Sequence, residues 1–404
     1  MAYQSNFNAL VAYKVQSALG TPASGSGASV LRVAGGNGAK LAKAAIESNE
    51  IRADGMRSRG RHGSQRTSSA YLAELSLGAH DPILEAVMRG TWDSTALTKT
   101  QTDFTSLTTA VDGIILASGN PITMGYRVGD VIRPTGLPDA SNNNRNLRIA
   151  ALSSTKITTA ETLIANAAPD TTCSIVRPGK RLINPAAPIK RYFTLEEYEG
   201  DIDQSTTMQD FVWGTVKLSL APNGLVHIDP GGIGTGQISG LAAGASPYFT
   251  SPVANTNVPM SCVDATIRVN GVDQVALTSF DLTVDLNPGT PDVVASKFGP
   301  DVFTGQMAVS LNMSMLRQDL QMFQDFIAET VYSLHVLCVD NTAEPKDFLA
   351  VTVPNFTLGG VDPSAFSKQG GGRTQSISVP AALVGKDTSA TGDASMIKWQ
   401  TTAP

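Results

Sequence analysis

The stretch Glu47–Trp92, ESNEIRADGMRSRGRHGSQRTSSAYLAELSLGAHDPILEAVMRGTW, carries the reading of the fold. Its centre is polar and punctuated by glycine, and it lies between two strand-like segments, so it reads as a long β-hairpin. Alternation in the second strand puts Ser69, Tyr71, Ala73, Leu75 and Leu77 on one face, the core side. Ser68, Ala70, Leu72, Glu74 and Ser76 fall on the other. Asp81-Pro82 then reads as N-cap and first helical residue, and Ile83, Leu84, Val87 and Met88 form an apolar helical stripe that stops at Gly90.

The same order of signals returns after residue 280. Phe280–Leu286 alternates, a Gly/Pro-rich loop follows, and Gly305–Met315 alternates again. Met307, Val309, Leu311 and Met313 face one way, and Gln306, Ala308, Ser310, Asn312 and Ser314 the other. Leu316, Leu320, Phe323 and Ile327 recur at helical spacing with Asp319, Asp325 and Glu329 outside them, and Met313, Met315, Met322, Phe323 and Phe326 read as a core cluster. Strand, long loop, strand, helix thus occurs twice. Further strands follow each occurrence: Lys190–Tyr198, Phe211–Leu220 and Leu225–Ile228 in the first half, Val331–Val339, Phe348–Val353 and Ser376–Val379 in the second. The expected fold class is mainly β: a duplicated β-domain with one helix per copy and a small inserted β-domain. The divisions read as an extended arm over 1–45, a first domain over 46–105 and 187–250, the insert over 106–186, a second domain over 255–390 and a tail over 391–404, with arm and tail disordered-looking in a monomer.

Bulk properties narrow the function. A chain of 404 residues exceeds what one core usually organises. Apolar residues make up 42% and charged residues 16%, below the roughly 25% of an average soluble protein. Two sources fit so little charge: a surface covered by neighbours, or a Gly/Ala/Ser/Thr-rich β-protein. The net charge of −5 argues against a dominant basic nucleic-acid surface and leaves room for DNA passing without sticking. Cys173, Cys262 and Cys338 stand far apart, with neither disulfide-framework nor zinc spacing. The N-terminus does not read as a secretory signal, and no apolar run reaches membrane-spanning length.

Catalytic motifs are weak. Gly35–Lys40 lacks the spacing of a phosphate loop, and Gly231–Gly236 fails the dinucleotide fingerprint, so both read as turns. His62, His80, His227 and His335 stand singly without metal-ligand spacing. No catalytic residue, metal or cofactor is expected. The basic cluster Arg52, Arg57, Arg59, Arg61, His62 and Arg66 stands against one acid, Asp54, and taken alone reads as a nucleic-acid or phosphate patch or as a solvated loop.

These stretches, with RYFTLEEYEGDIDQ at Arg191–Gln204, KLSLAPNGLV at Lys217–Val226 and FTGQMAVSLNMSMLRQDLQMFQDFIAET at Phe303–Thr330, resemble the tail tube proteins of long-tailed, siphophage-type bacteriophages. The resemblance implies a β-sandwich flanked by a helix, inner sheets joined around a ring, rings stacked through long hairpin loops, and a lumen that conducts the genome into the host. It implies a structural virion protein, assembled in the bacterial host cytoplasm, whose partners are other copies of itself, a tape measure protein, and tail terminator and baseplate proteins. DNA would pass without specific binding, and no membrane is involved. With six folds per ring and two per chain, three chains make a pseudo-hexameric ring, and a homohexamer is the alternative. The basic loop then becomes the contact between rings, with Glu196, Glu197, Glu199, Asp201 and Asp203 as its acidic counterpart. Ala70, Leu72, Glu74, Gln306, Ala308, Ser310 and Asn312 become candidates for the lumen wall. A phage decoration or host-surface-binding β-protein is the competing reading.

Overall fold

A computed structural model describes residues 3–341, 343–368 and 370–404. In the first half, β1 (Ala9–Val15), β2 (Ser29–Leu31), β3 (Val33–Ile46) and β4 (Arg61–Ala73) precede α1 (Asp81–Met88). Eight short strands, β5 (Leu97–Lys99) through β12 (Ser174–Arg177), form a separate sheet. After it come β13 (Lys180–Ile183), β14 (Phe193–Glu199), β15 (Gln204–Leu220), β16 (His227–Gly234) and β17 (Ile238–Leu241). The second half comprises β18 (Thr266–Val269), β19 (Val272–Asp273), β20 (Leu277–Asp285), β21 (Ala308–Leu316), α2 (Gln321–Ile327), β22 (Val331–Val339), β23 (Phe348–Thr357), β24 (Gly360–Pro363), β25 (Thr374–Val379) and β26 (Lys398–Thr401).

Strand pairing repeats between the halves. In the first half β3 pairs β4, β4 pairs β16 and β16 pairs β15, while β14, flanked by β1, pairs the other end of β15. In the second half β20 pairs β21, β21 pairs β25 and β25 pairs β24, while β22, flanked by β18, pairs β23. The 17-residue β15 therefore does in one strand what β23 and β24 do in two. Both switch sheets at a glycine. A Cβ on Gly214 would lie 2.4 Å from Pro288, and one on Gly359 would lie 2.2 Å from Pro380, so neither site has room for a side chain.

The two halves join where β15 pairs β20, from Thr215↔Asp285 to Leu220↔Phe280. This junction makes one continuous sheet in the order β3-β4-β16-β15-β20-β21-β25-β24. One core runs beneath both halves, and its first-half centre is the ring cluster of Tyr13, Tyr71, Phe193, Phe211 and Trp213. Ser69, Tyr71, Ala73, Leu75 and Leu77 are all buried there, as are Met307, Val309, Leu311, Met313 and Met315. Alternation read the core side of both strands.

Several expectations need correction. The segment read as an extended arm over 1–45 supplies β1, β2 and β3, and β3 is the first strand of the hairpin. Its run Ala34-Gly-Gly-Asn-Gly-Ala39 lacks apolar alternation, and pairing with β4 through three register shifts supplies the order. The segment read as a tail over 391–404 holds β26, a buried strand between β13 and β23. β13 thus belongs to a second-half sheet although it falls within 106–186, and the first strand of the inserted sheet, β5, precedes that range. Asp81 opens α1 from inside it; its carboxylate pairs with Lys180 at 2.8 Å and makes no cap. Helix α2 is turned from its expected orientation. Leu316, Leu320, Phe323 and Ile327 are exposed, while Met322 and Phe326 pack inward and the Asp325 carboxylate accepts from the Tyr332 hydroxyl.

The inserted sheet has its own core around Phe104, Tyr126, Ile132, Leu147 and Ile175. It docks on the outer face of the β22–β23–β26 sheet. Arg268, His335, Thr352 and Lys398 are successive cross-strand neighbours there. Lys398 Nζ donates to Asp130 Oδ1 and the Val128 carbonyl, each at 2.8 Å, and to Asp393 Oδ2 at 2.9 Å. Gln400 exchanges side-chain hydrogen bonds with both backbone groups of Val131, and Arg268 pairs with Glu161.

Candidate functional site

The core-averted face of the continuous sheet is a polar wall. Register places Glu74, His227, Ser219, Asp281, Asn312 and Ser378 in one row across it. A second row runs Ala70, Gly231, Thr215, Asp285, Ala308, and Lys217, Thr283 and Ser310 lie between them. Most side chains on this face are small or polar, because alternation sends the bulky apolar residues of the same strands into the core. Among the described residues its carboxylates are Glu74, Asp229, Asp281, Asp285 and Asp362, and its ammonium groups are Lys217, 3.1 Å from Asp281, and Lys40, which register sets beside Ser68. Five negative charges against two positive leave −3, with His227 and the Arg66–Asp292 pair uncounted. Burial, reinforced by Asp281, raises the Asp229 carboxyl above the usual range.

The structure brings Ala70, Leu72 and Glu74 of β4 onto the same wall as Ala308, Ser310 and Asn312 of β21, although more than 230 residues separate them. Gln306 lies apart: it precedes β21 and lines an open groove beside α1 with Met88, Arg89 and Asn184. Sequence reasoning missed Lys217, Asp229, Asp281 and Asp285, whose alternate spacing on β15, β16 and β20 was the signal that could have found them.

At its two ends this sheet has open edges. Among the described residues β3 pairs only with β4, and β24 only with β25. The β3–β4 hairpin projects beyond the sheet. Its last anchors are Gln65, bonded to Lys297 and Gly236, and Arg66, bonded to Thr290 and Asp292. The four residues Arg61–Ser64 carry the stem onward about 13 Å at ~3.3 Å per residue before the loop begins.

The basic cluster is thereby divided. Arg66 is held by the β20–β21 loop, and Arg61 and His62 sit exposed on the stem. The loop itself, 47–60, contains Glu47, Glu50 and Asp54 against Arg52, Arg57 and Arg59, a net charge of zero. Arg52 pairs with Asp54 at 2.6 Å and Arg57 with Glu47 at 3.3 Å, so the stem is basic and the tip neutral.

The acidic residues expected opposite this cluster are largely engaged. Glu196 is fully buried, and its carboxylate accepts from the Ser205 hydroxyl and from the amides of Tyr248 and Phe249. Glu197 accepts from Tyr71 Oη and the Ala39 amide. Asp201 accepts from Ser5 and Asn8, Asp203 accepts from Tyr198 Oη, and Glu199 is partly exposed. Strand direction matters as well. β4 and β15 each run antiparallel to β16, so the turn that precedes β15 lies at the hairpin's own end of the sheet.

His335 and His80 are buried, with neither ring nitrogen bonded among the described residues. Burial, followed by Arg148, Arg268 and Lys398, pushes the His335 imidazole well below its ordinary value. For His80, burial and then Arg32 lower it to about 4. No group of three or more His, Cys, Asp or Glu among the described residues is placed to hold a metal, and no helix is long and apolar enough to cross a membrane.

No curated protein matches the chain. The family model described as phage tail tube protein matches residues 6–394, nearly the whole length, over both copies of the strand pattern and the inserted sheet. The chain belongs to the phage tail tube protein family and is a structural component of the virion.

Proposed function

We propose that three copies of the chain close into a ring, that rings stack through the β3–β4 hairpins, and that the polar wall lines a channel for genomic DNA. The observation that carries this reading is the continuous sheet with a duplicated four-strand unit and two open edges. Inside the chain the units join by β15 pairing β20. The equivalents of those two strands at the free ends are β24 and β3. Pairing β24 of one copy with β3 of the next repeats the internal joint and removes the edges that invite disordered association.

Geometry favours three copies over six. Three copies of eight strands give 24, and at ~4.8 Å per strand the circumference is about 115 Å and the diameter about 37 Å before strand tilt. Side chains of about 5 Å on each side leave roughly 27 Å, enough for a duplex roughly 20 Å across. Six copies would open the channel to about 63 Å, far wider than the cargo. The wall carries about −9 per ring of three, so it presents phosphates with mostly small or polar groups and net repulsion. The Arg66 guanidinium, on the same face of β4, is engaged by the Thr290 carbonyl and Asp292 and is less available for counterion-releasing contacts. The hairpin crosses to the adjoining ring, where it meets the end that carries the β15–β16 turn. During assembly the tape measure protein occupies the channel, and tail terminator and baseplate proteins bound its length; the subunit polymerises in the host cytoplasm.

Electron microscopy of the purified full chain tests the reading. Hollow tubes whose rings contain three subunits and six repeated densities are the expected result, and a protein that stays monomeric at high concentration and with tail initiator components would overturn it.

A further inference from the structure

We infer that the exposed apolar side of α2 is a subunit contact that receives the first half of the neighbouring copy, as α1 is received by the second half within the chain. This rests on the ring reading above and names a surface that the strand joint alone does not involve. The two helices hold equivalent places: α1 follows β4 and packs on β15, and α2 follows β21 and packs on β24. Their surroundings differ. Ile83, Leu84, Val87 and Met88 of α1 are at most 2% exposed.

Part of that cover comes from the second half. Asn184 Nδ2, just beyond β13, donates to the Met88 carbonyl at 3.3 Å, and Arg89 donates to the Gly305 carbonyl at 3.2 Å. Leu182 and Ile183 close over Gly90, where an added Cβ would lie 2.8 Å from the Ile183 carbonyl oxygen. Helix α1 therefore sits astride the β15–β20 joint and seals it.

Helix α2 has the same construction with the far side open. Leu320, Phe323 and Ile327 are 52%, 43% and 67% exposed. These residues recur at helical spacing, so they form one stripe. The occupant follows from the repeat. Leu75 lies six residues before Asp81, and Met315 lies six before Gln321, so Gly305–Met307, which meets α1, corresponds to Gln65–Thr67. In a ring where β24 pairs the next copy's β3, that neighbour's Gln65–Thr67 is brought to α2. Leu41, paired with Thr67 and 38% exposed, supplies an apolar side chain at the same place. An aromatic and aliphatic stripe meeting an apolar strand residue excludes water from the seam, which protects the strand hydrogen bonds behind it.

Cysteine labelling of the full chain tests this. In a Cys262→Ser background, Ile327→Cys is treated with a water-soluble maleimide before and after polymerisation, with Val111→Cys on the inserted sheet as reference. The expected result is at least about tenfold slower labelling at position 327 in tubes, with position 111 unchanged. Tubes in which position 327 labels at the subunit rate overturn the inference and leave the ring reading standing. If the unsubstituted chain forms no tubes, the ring reading falls and takes this inference with it. Phe323→Asp gives a second arm: folded subunits with unchanged circular dichroism that fail to polymerise are expected, and tubes at the unsubstituted level overturn the contact. Should that variant not fold, the labelling result decides.

Discussion

Replacing Lys398 by methionine should loosen the inserted sheet from the body without destroying either. The Lys398 ammonium holds three oxygens, those of Asp130, Val128 and Asp393, and the Asp130 side chain is fully buried. Methionine fills nearly the same volume and removes the charge, so the substitution leaves the enclosed Asp130 carboxylate with the hydrogen bond from the Arg127 amide, 2.9 Å from Oδ2, and the more distant charge of Arg177. Breaking one partner of a buried pair costs about 3–5 kcal/mol. Replacing both with uncharged groups of similar volume is often neutral, so Asp130→Asn with Lys398→Met should recover most of the loss. Urea unfolding followed by the fluorescence of Trp399, the buried neighbour of Lys398 on β26, measures the change. Amide hydrogen exchange should show it concentrated between residues 97 and 177, because that sheet has its own core and can undock as a unit. A loss below about 1 kcal/mol, or a double variant weaker than the single one, would refute the latch.

Four further outcomes follow from the same geometry. Replacing residues 49–58 with a short Gly/Ser linker should leave melting unchanged, since those residues are exposed and bonded mainly to one another, and should stop tube growth seen by electron microscopy. Gly214→Ala and Gly359→Ala should each lower stability by about 1–3 kcal/mol in denaturant titrations, because each methyl meets a proline ring, and similar losses would mark the two sites as equivalents. The His80 imidazole is depressed to about 4 by burial and by Arg32, so its contribution is fully present above ~6.5 and is lost as pH falls toward 4. The span corresponds to about 3 kcal/mol, and His80→Asn, which removes this titrating group while His335 remains, should lessen the loss of stability across that window. Thr283→Arg, placed mid-wall beside Lys217, should give folded subunits whose tubes retain DNA at low salt and release it at high salt; retention equal to the unsubstituted tubes would remove the wall from the channel.

Where alternation was strong, the sequence was readable. Ser69–Leu77 and Met307–Met315 show their core sides in their spelling, and the helix after each is marked by an apolar period. The failures have distinct causes. β3 carries a glycine-rich run with no periodicity, and it is a strand because β4 pairs with it. β26 is four residues long and buried on both faces, so it has no alternation to read. Glu196 sits in a run of acids that looks solvated, but two loop amides draw it into the interior. Helix α2 was assigned a buried stripe because period reports which residues share a face and is silent on what covers that face. The wall was half legible: two of its strands were found, and the register that sets β15, β16 and β20 between them is a property of pairing over long sequence separations.

The place of β26 sets an order on synthesis. Its partners β13 and β23 leave the ribosome earlier, β13 by more than 200 residues, and the inserted sheet that Lys398 and Gln400 fasten is complete before either residue exists. Contacts so distant along the chain form late, because loop closure must be met before they are rewarded. A nascent chain can therefore fold its first half and the insert while the outer sheet of the second half still lacks a strand. Residues 398–401 complete that sheet: until they lie between β13 and β23, the half that bears the β24 edge lacks the strand that joins its outer sheet to β13.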